Sequence, residues 1–166
     1  MLFTLSLVTI ITILAQFLFK PIHRYKYVLY IIALIVAITL HESGNYVTYG
    51  YAGLSFFIVV MYSGALEKST FRKRLFQVRA EYAIIGTILI TPHMFGYIEF
   101  LLEDLQITNI TLNYIFGLLT IFLIIPLFVT SFQYVRKKIG YKLWKKLHEY
   151  AYLLYLFVGL HLIAIN

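Results

Sequence analysis

Residues 145–162 read KKLHEYAYLLYLFVGLHL. A pair of lysines gives way to an uncharged apolar run, with His148 near its start and His161 thirteen positions later. A run of this length and composition reads as a membrane-spanning helix, which needs about 20 mostly apolar residues. Titratable side chains are costly at that depth and mark functional positions. The presence of two imidazoles in one such helix therefore bears on both fold and function.

The rest of the chain has the same character. Of its 166 residues, 61% are hydrophobic and 13% charged, against roughly half and a quarter in an ordinary soluble domain. The expected fold is all-α: one integral membrane domain covering residues 1–166, with no soluble domain, linker or low-complexity segment. The absence of cysteine excludes a disulfide framework, a zinc–thiolate site and an iron–sulfur cluster. Any redox chemistry must use a cofactor held by other ligands. The formal charge of +7 does not indicate nucleic acid. All 14 Lys and Arg fall in three clusters, Lys20 to Lys26, Lys68 to Arg79 and Arg136 to Lys146. These clusters alternate with apolar segments, which is the positive-inside pattern of cytoplasmic loops facing anionic lipid headgroups.

Six spans follow, at about 2–19, 27–43, 50–66, 80–99, 112–133 and 148–165. The connections at 44–50 and 99–111 hold no Lys or Arg, and the second carries Glu99, Glu103 and Asp104. Both read as external, which puts both termini outside in a multi-pass cell-membrane protein. The N-terminus lacks a basic lead-in and a small-residue cleavage site, so it reads as an uncleaved first span. No dinucleotide-binding glycine pattern or phosphate-binding loop is present.

On this topology the fourth and sixth spans both run from inside to outside. His93 lies about 21 Å beyond Arg79 along its helix, and His161 about 19–20 Å beyond His148. His93 and His161 therefore share a depth near the outer face, and Arg79 and His148 share one near the inner face. Imidazoles on facing helices suit a proton relay, a metal site or the axial ligation of a b-type haem. Gly86, Gly96, Gly117 and Gly159 would let a flat macrocycle or a neighbouring helix come close. The thirteen-residue separation of His148 and His161 leaves a rotation of about 140° on a regular helix, so the two need not face the same way. His41, beside Glu42, reads as a helix–helix hydrogen-bonding residue, and His23 as a solvated residue of a basic loop. Glu42, Glu81, Glu99 and Glu149 all fall near span ends, which argues against a transporter built on His41, Glu42 and His93.

The stretch PLFVTSFQYVRKKIGYKLWKKLHEYAYLLYLFVGLHL resembles the last two spans of the ferric reductase-like transmembrane family. The matching residues are Thr130, Ser131, Arg136 to Lys138, Gly140, Trp144, Leu147, His148, Tyr152 and His161. Arg79, Gly86 and His93 fall where that family has Arg, Gly and His, and the likeness covers roughly residues 50–165. The resemblance implies b-type haem, one or two, held by inward histidines and passing electrons across the membrane. Its ligands would be His93, His161 and His148, and Arg79 would also bind the cofactor. Many relatives carry four such histidines and a fused flavin and nicotinamide domain. Here the chain ends at the last span, so the reductant would be a separate flavoprotein or membrane quinol, and the acceptor an external redox partner. Arg79 stands at the inner level of span four, where an Arg also occurs in the haem-binding membrane subunit of bacterial methionine sulfoxide reductase systems, which the pattern also resembles. The inner level is thus open: His148 with Arg79, His148 alone, or no inner haem. A guanidinium stays protonated, so a haem propionate suits Arg79 better than iron does. The alternative reading is a non-catalytic membrane scaffold or assembly subunit whose histidines only pack.

Overall fold

The structure is a computed structural model that describes residues 2–41, 44, 47, 49–103 and 111–165. Glu42 and Asp104 lie outside the described residues, and the two connections expected to be external are covered only in part. The described secondary structure is helical, in eight segments: α1 Leu2–Arg24, α2 Lys26–Thr39, α3 Tyr51–Ala65, α4 Thr70–Glu103, α5 Leu112–Ser131, α6 Gln133–Ile139, α7 Tyr141–Glu149 and α8 Ala151–Ala164. They fall into two compact units, Met1–Ile98 and Glu99–Asn166.

Among the described residues four helical stretches are long and apolar enough to cross a bilayer: Leu2–Arg24, Thr70–Phe100, Leu112–Ser131 and Tyr141–Ala164, the last running through α7 and α8. Helices α2 and α3 have 14 and 15 residues. At about 1.5 Å per residue they fall short of a hydrocarbon core about 30 Å thick. Outward-facing apolar side chains are abundant, among them Phe17 on α1, Ile38 on α2 and Phe122 on α5, as lipid contact requires.

Helix boundaries depart from the hydropathy boundaries for identifiable reasons. Helix α4 begins ten residues before its expected apolar start, because the cationic stretch from Thr70 to Arg79 is made largely of good helix formers. The Ser69 hydroxyl accepts the Arg72 N–H at 3.2 Å, satisfying an orphan donor of the first turn. Helix α1 continues past residue 19 to Arg24 but is bent at Leu18 (φ −114°, ψ 18°), three residues before Pro21. The proline removes one backbone donor. Next to the bend, Arg74 Nη1 donates to the Gln16 carbonyl at 2.9 Å, and Gln16 Nε2 donates to the Phe71 carbonyl at 3.1 Å.

In the first unit, Ile11, Ala15 and Ile22 of α1 join Ala52, Val59 and Val60 of α3 and Leu75, Val78 and Tyr82 of α4 in one core. The Tyr82 hydroxyl donates to the Ile11 carbonyl at 3.0 Å. One titratable residue, His23, differs from its sequence reading. Glu81 is buried, its side chain 5% exposed, and its Oε1 lies 2.7 Å from Nδ1 of His23. His23 is therefore a partner of α4 and not merely solvated. His41 Nδ1 donates to the Ile38 carbonyl at 3.0 Å, just past the end of α2. Removing His23 would strip the buried carboxylate of that partner. His23→Ala is expected to cost about 1–3 kcal/mol, read as a lower unfolding midpoint in detergent. His23→Ala combined with Glu81→Gln should cost less than the two single changes together.

In the second unit α5 pairs with α7 and α8 in antiparallel fashion. Asn113, Phe116 and Thr130 along α5 meet His161, Phe157 and His148 in the reverse order. Gly140 (φ 80°) takes a conformation that side chains resist and separates α6 from α7. Tyr150 separates α7 from α8, its N–H donating to the Leu147 carbonyl at 3.1 Å in a tightened turn.

Candidate functional site

His93 is placed by a close crossing of α3 and α4. Gly86, Ile90 and His93 repeat at helical spacing and share one face of α4. A Cβ added to Gly53 of α3 would fall 2.7 Å from both the Gly86 carbonyl oxygen and Ile90 Cβ. A Cβ at Gly86 would fall 3.0 Å from Phe56 Cβ. One turn away, Gly50 stands at the N-terminal cap of α3 with φ 76°, and a Cβ there would lie 3.1 Å from His93 Cγ and Cδ2. The bare backbone of Gly50 thus packs against the imidazole. Pro92, just before His93, leaves the α4 ladder one N–H short. Of the glycines expected to admit a close neighbour, Gly86 does so toward α3, whereas a Cβ at Gly96 or Gly159 would meet nothing within 4 Å.

His161, half-buried on α8, bonds through Nδ1 to the Asn113 carbonyl of α5 at 3.1 Å. A carbonyl only accepts, so Nδ1 carries a proton, and in the neutral ring Nε2 carries the lone pair. This is the arrangement that metal-ligating histidines adopt, one ring N–H fixed by a backbone carbonyl and the other nitrogen turned to the metal.

His148, on α7, is held differently. Its Nε2 lies 3.1 Å from Thr130 Oγ1, and its ring sits 4.5 Å, centroid to centroid, from the Trp144 indole. Trp144 Nε1 donates to the Thr130 carbonyl at 3.1 Å, and the Arg136 guanidinium lies 5.4 Å from the indole centre. The residues of the sequence pattern Thr130, Arg136, Trp144 and His148 therefore form one cluster, whereas Tyr152 is 73% exposed. Tyr150 keeps right-handed helical dihedrals (φ −65°, ψ −10°) between α7 and α8, and His148 and His161 both meet α5 despite their nominal 140° offset.

Arg79 is half-buried on α4, its guanidinium 5.3 Å from the Phe76 ring, with Arg72 4.7 Å from that ring. Among the described residues no three His, Asp or Glu side chains converge as a site for a bare metal ion. His161 and His41 each meet a backbone carbonyl, His148 a hydroxyl, and His23 the Glu81 carboxylate. The donor set at His161 fits an axial haem ligand, and the Arg79 guanidinium lies over the Phe76 ring. Asn113 and Gly50 had no signal in the sequence as partners of histidines, because one acts through its carbonyl and the other through the lack of a side chain.

Residues 49–159 match the family described as Ferric reductase like transmembrane component. A curated relative from Treponema pallidum (strain Nichols), described as an uncharacterized protein, is 31% identical over 113 residues, 64% of this chain and 31% of that protein. The chain thus matches about a third of the length of that relative. No solved structure matches it.

Proposed function

The chain belongs to the ferric reductase-like transmembrane component family, and from that premise we propose that it is a haem-bearing electron carrier of a cell membrane. In this reading six helices span the bilayer with both termini outside, α2 and α3 being the short members, and a b-type haem is held by His93 and His161. Electrons arrive from a cytoplasmic flavoprotein or membrane quinol and leave to an external acceptor. In this reading the chain is similar to the haem-binding membrane subunit of methionine sulfoxide reductase systems.

The observation that carries the reading is the His161 bond to the Asn113 carbonyl, which presents Nε2 as a lone-pair donor. Bound haem would supply one-electron chemistry, with iron cycling between ferric and ferrous states. The protein residues orient and shield it. Asn113 fixes the His161 tautomer, Gly50 and the Gly53–Gly86 crossing set the position of His93, and Arg79 offers a cation to a propionate. The basic cluster Arg136 to Lys146 offers a docking surface to an acidic redox partner.

A pyridine haemochrome assay together with a reduced-minus-oxidised spectrum of the purified chain tests this directly. A b-type spectrum is expected. A colourless protein that retains its biological role after loss of both His93 and His161 would favour a scaffold instead. Gly50→Ala tests the placement of His93. It adds a methyl 3.1 Å from the ring carbons at φ 76°, a backbone region costing about 1–2 kcal/mol for a side chain. Shifted g values of the ferric low-spin signal and a lower haem content are expected, while Gly96→Ala, in open space, should change neither.

A further inference from the structure

We infer that Thr130 holds His148 in the Nε2–H tautomer, and so withholds from iron the nitrogen that axial ligation would use. This rests on the haem-carrier reading for its consequence, though not for its geometry. A threonine hydroxyl has one proton. Thr130 Oγ1 lies 2.7 Å from the Pro126 carbonyl oxygen and 3.3 Å from that of Leu127. Two oxygens at 2.7 Å need the proton between them, since without it their lone pairs would repel. That proton is therefore committed to α5, and Thr130 can meet His148 Nε2 at 3.1 Å only as an acceptor. The proton of that contact belongs to His148.

The cluster around the hydroxyl reinforces this state. Trp144 ties the Thr130 carbonyl through its indole N–H and stacks at 4.5 Å on the His148 ring. At the other end of the same antiparallel pair, the Asn113 carbonyl imposes the opposite tautomer on His161. The two histidines of residues 145–162 are thus chemically distinct before any cofactor binds, one with Nε2 as lone-pair donor and one with Nε2 protonated. Ligation by His148 through Nε2 requires the Thr130 bond to break and the proton to leave that nitrogen. Thr130 is a positioning residue that delays loading at the inner level, so the outer haem loads first.

The experiment uses the full chain in detergent with ¹⁵N-labelled histidine, assigning His148 by its absence in His148→Gln. In haem-free wild type and in Thr130→Ser, the His148 Nε2 resonance should be that of a protonated nitrogen. In Thr130→Val the preference should be lost, and haemin titration should show a second equivalent binding about two- to tenfold tighter than in wild type, the value of one neutral hydrogen bond. Thr130→Ala provides a second hydroxyl-free variant should valine impair folding. An unprotonated His148 Nε2 in the wild type would overturn the inference. So would a second equivalent that binds no tighter once the hydroxyl is gone. If no variant binds haem at all, the haem-carrier reading fails, and the nitrogen resonances alone decide the role of Thr130.

Discussion

His161→Ala is expected to abolish the low-spin b-type spectrum, and His93→Ala to do the same, each lowering haem per chain by about tenfold or more. A six-coordinate haem b depends on two axial imidazoles, and disturbing even an outer partner of a metal ligand costs about 10- to 100-fold in affinity. Loss of a ligand itself should cost no less. His148→Ala should leave the outer bands in place and remove at most the inner equivalent. The same logic separates a ligand from its buttress. Asn113 acts on His161 through its backbone carbonyl, so Asn113→Ala keeps the acceptor and should keep the spectrum. Haemochrome assays and reduced-minus-oxidised spectra of the purified variants read all four outcomes. A b-type spectrum that survives both His93→Ala and His161→Ala would refute ligation by this pair.

The comparison of His148 with His161 also shows what a linear pattern can and cannot carry. Apolar run length and the alternation of cationic clusters locate the helices, because both report the bilayer as a solvent. α5 ends within two residues of its expected boundary. Helix ends inside cationic stretches were not legible, since Lys and Arg are as compatible with helix as with loop, and a Ser69 cap extends α4 by ten residues. The partnership of His23 with Glu81 joins residues 58 apart in sequence, and no periodicity within one helix reports it. The break at Tyr150 was equally hidden. It uses no Pro or Gly, and Tyr150 itself keeps right-handed helical dihedrals (φ −65°, ψ −10°), while both histidines meet α5. Tautomer is the least legible property of all. It depends on whether the neighbouring atom only accepts or has a proton already committed, as at Asn113 and Thr130.

Gly53→Val is expected to give the largest structural effect in the first unit. The first carbon of the new side chain would fall 2.7 Å from a backbone oxygen of α4 and 2.9 Å from the Ile90 nitrogen. Backbone atoms cannot swing aside as the end of a flexible side chain can, so α3 and α4 must separate or slide. Overpacking of this kind costs about 1–3 kcal/mol, occasionally more, and here it acts on a core that Val59, Val60, Leu75 and Val78 share. A fall in the unfolding midpoint and in the monodisperse yield from detergent should follow. Sliding α3 along α4 would also carry Gly50 away from His93, since Gly53 and Gly50 face Gly86 and His93 along the same crossing. Any folded Gly53→Val protein should therefore show a disturbed haem spectrum even though residue 53 touches no ligand. Gly96→Ala and Gly159→Ala, each in open space, should match wild type in both measurements. A Gly53→Val protein with wild-type stability would mean that this crossing is not the one that positions His93.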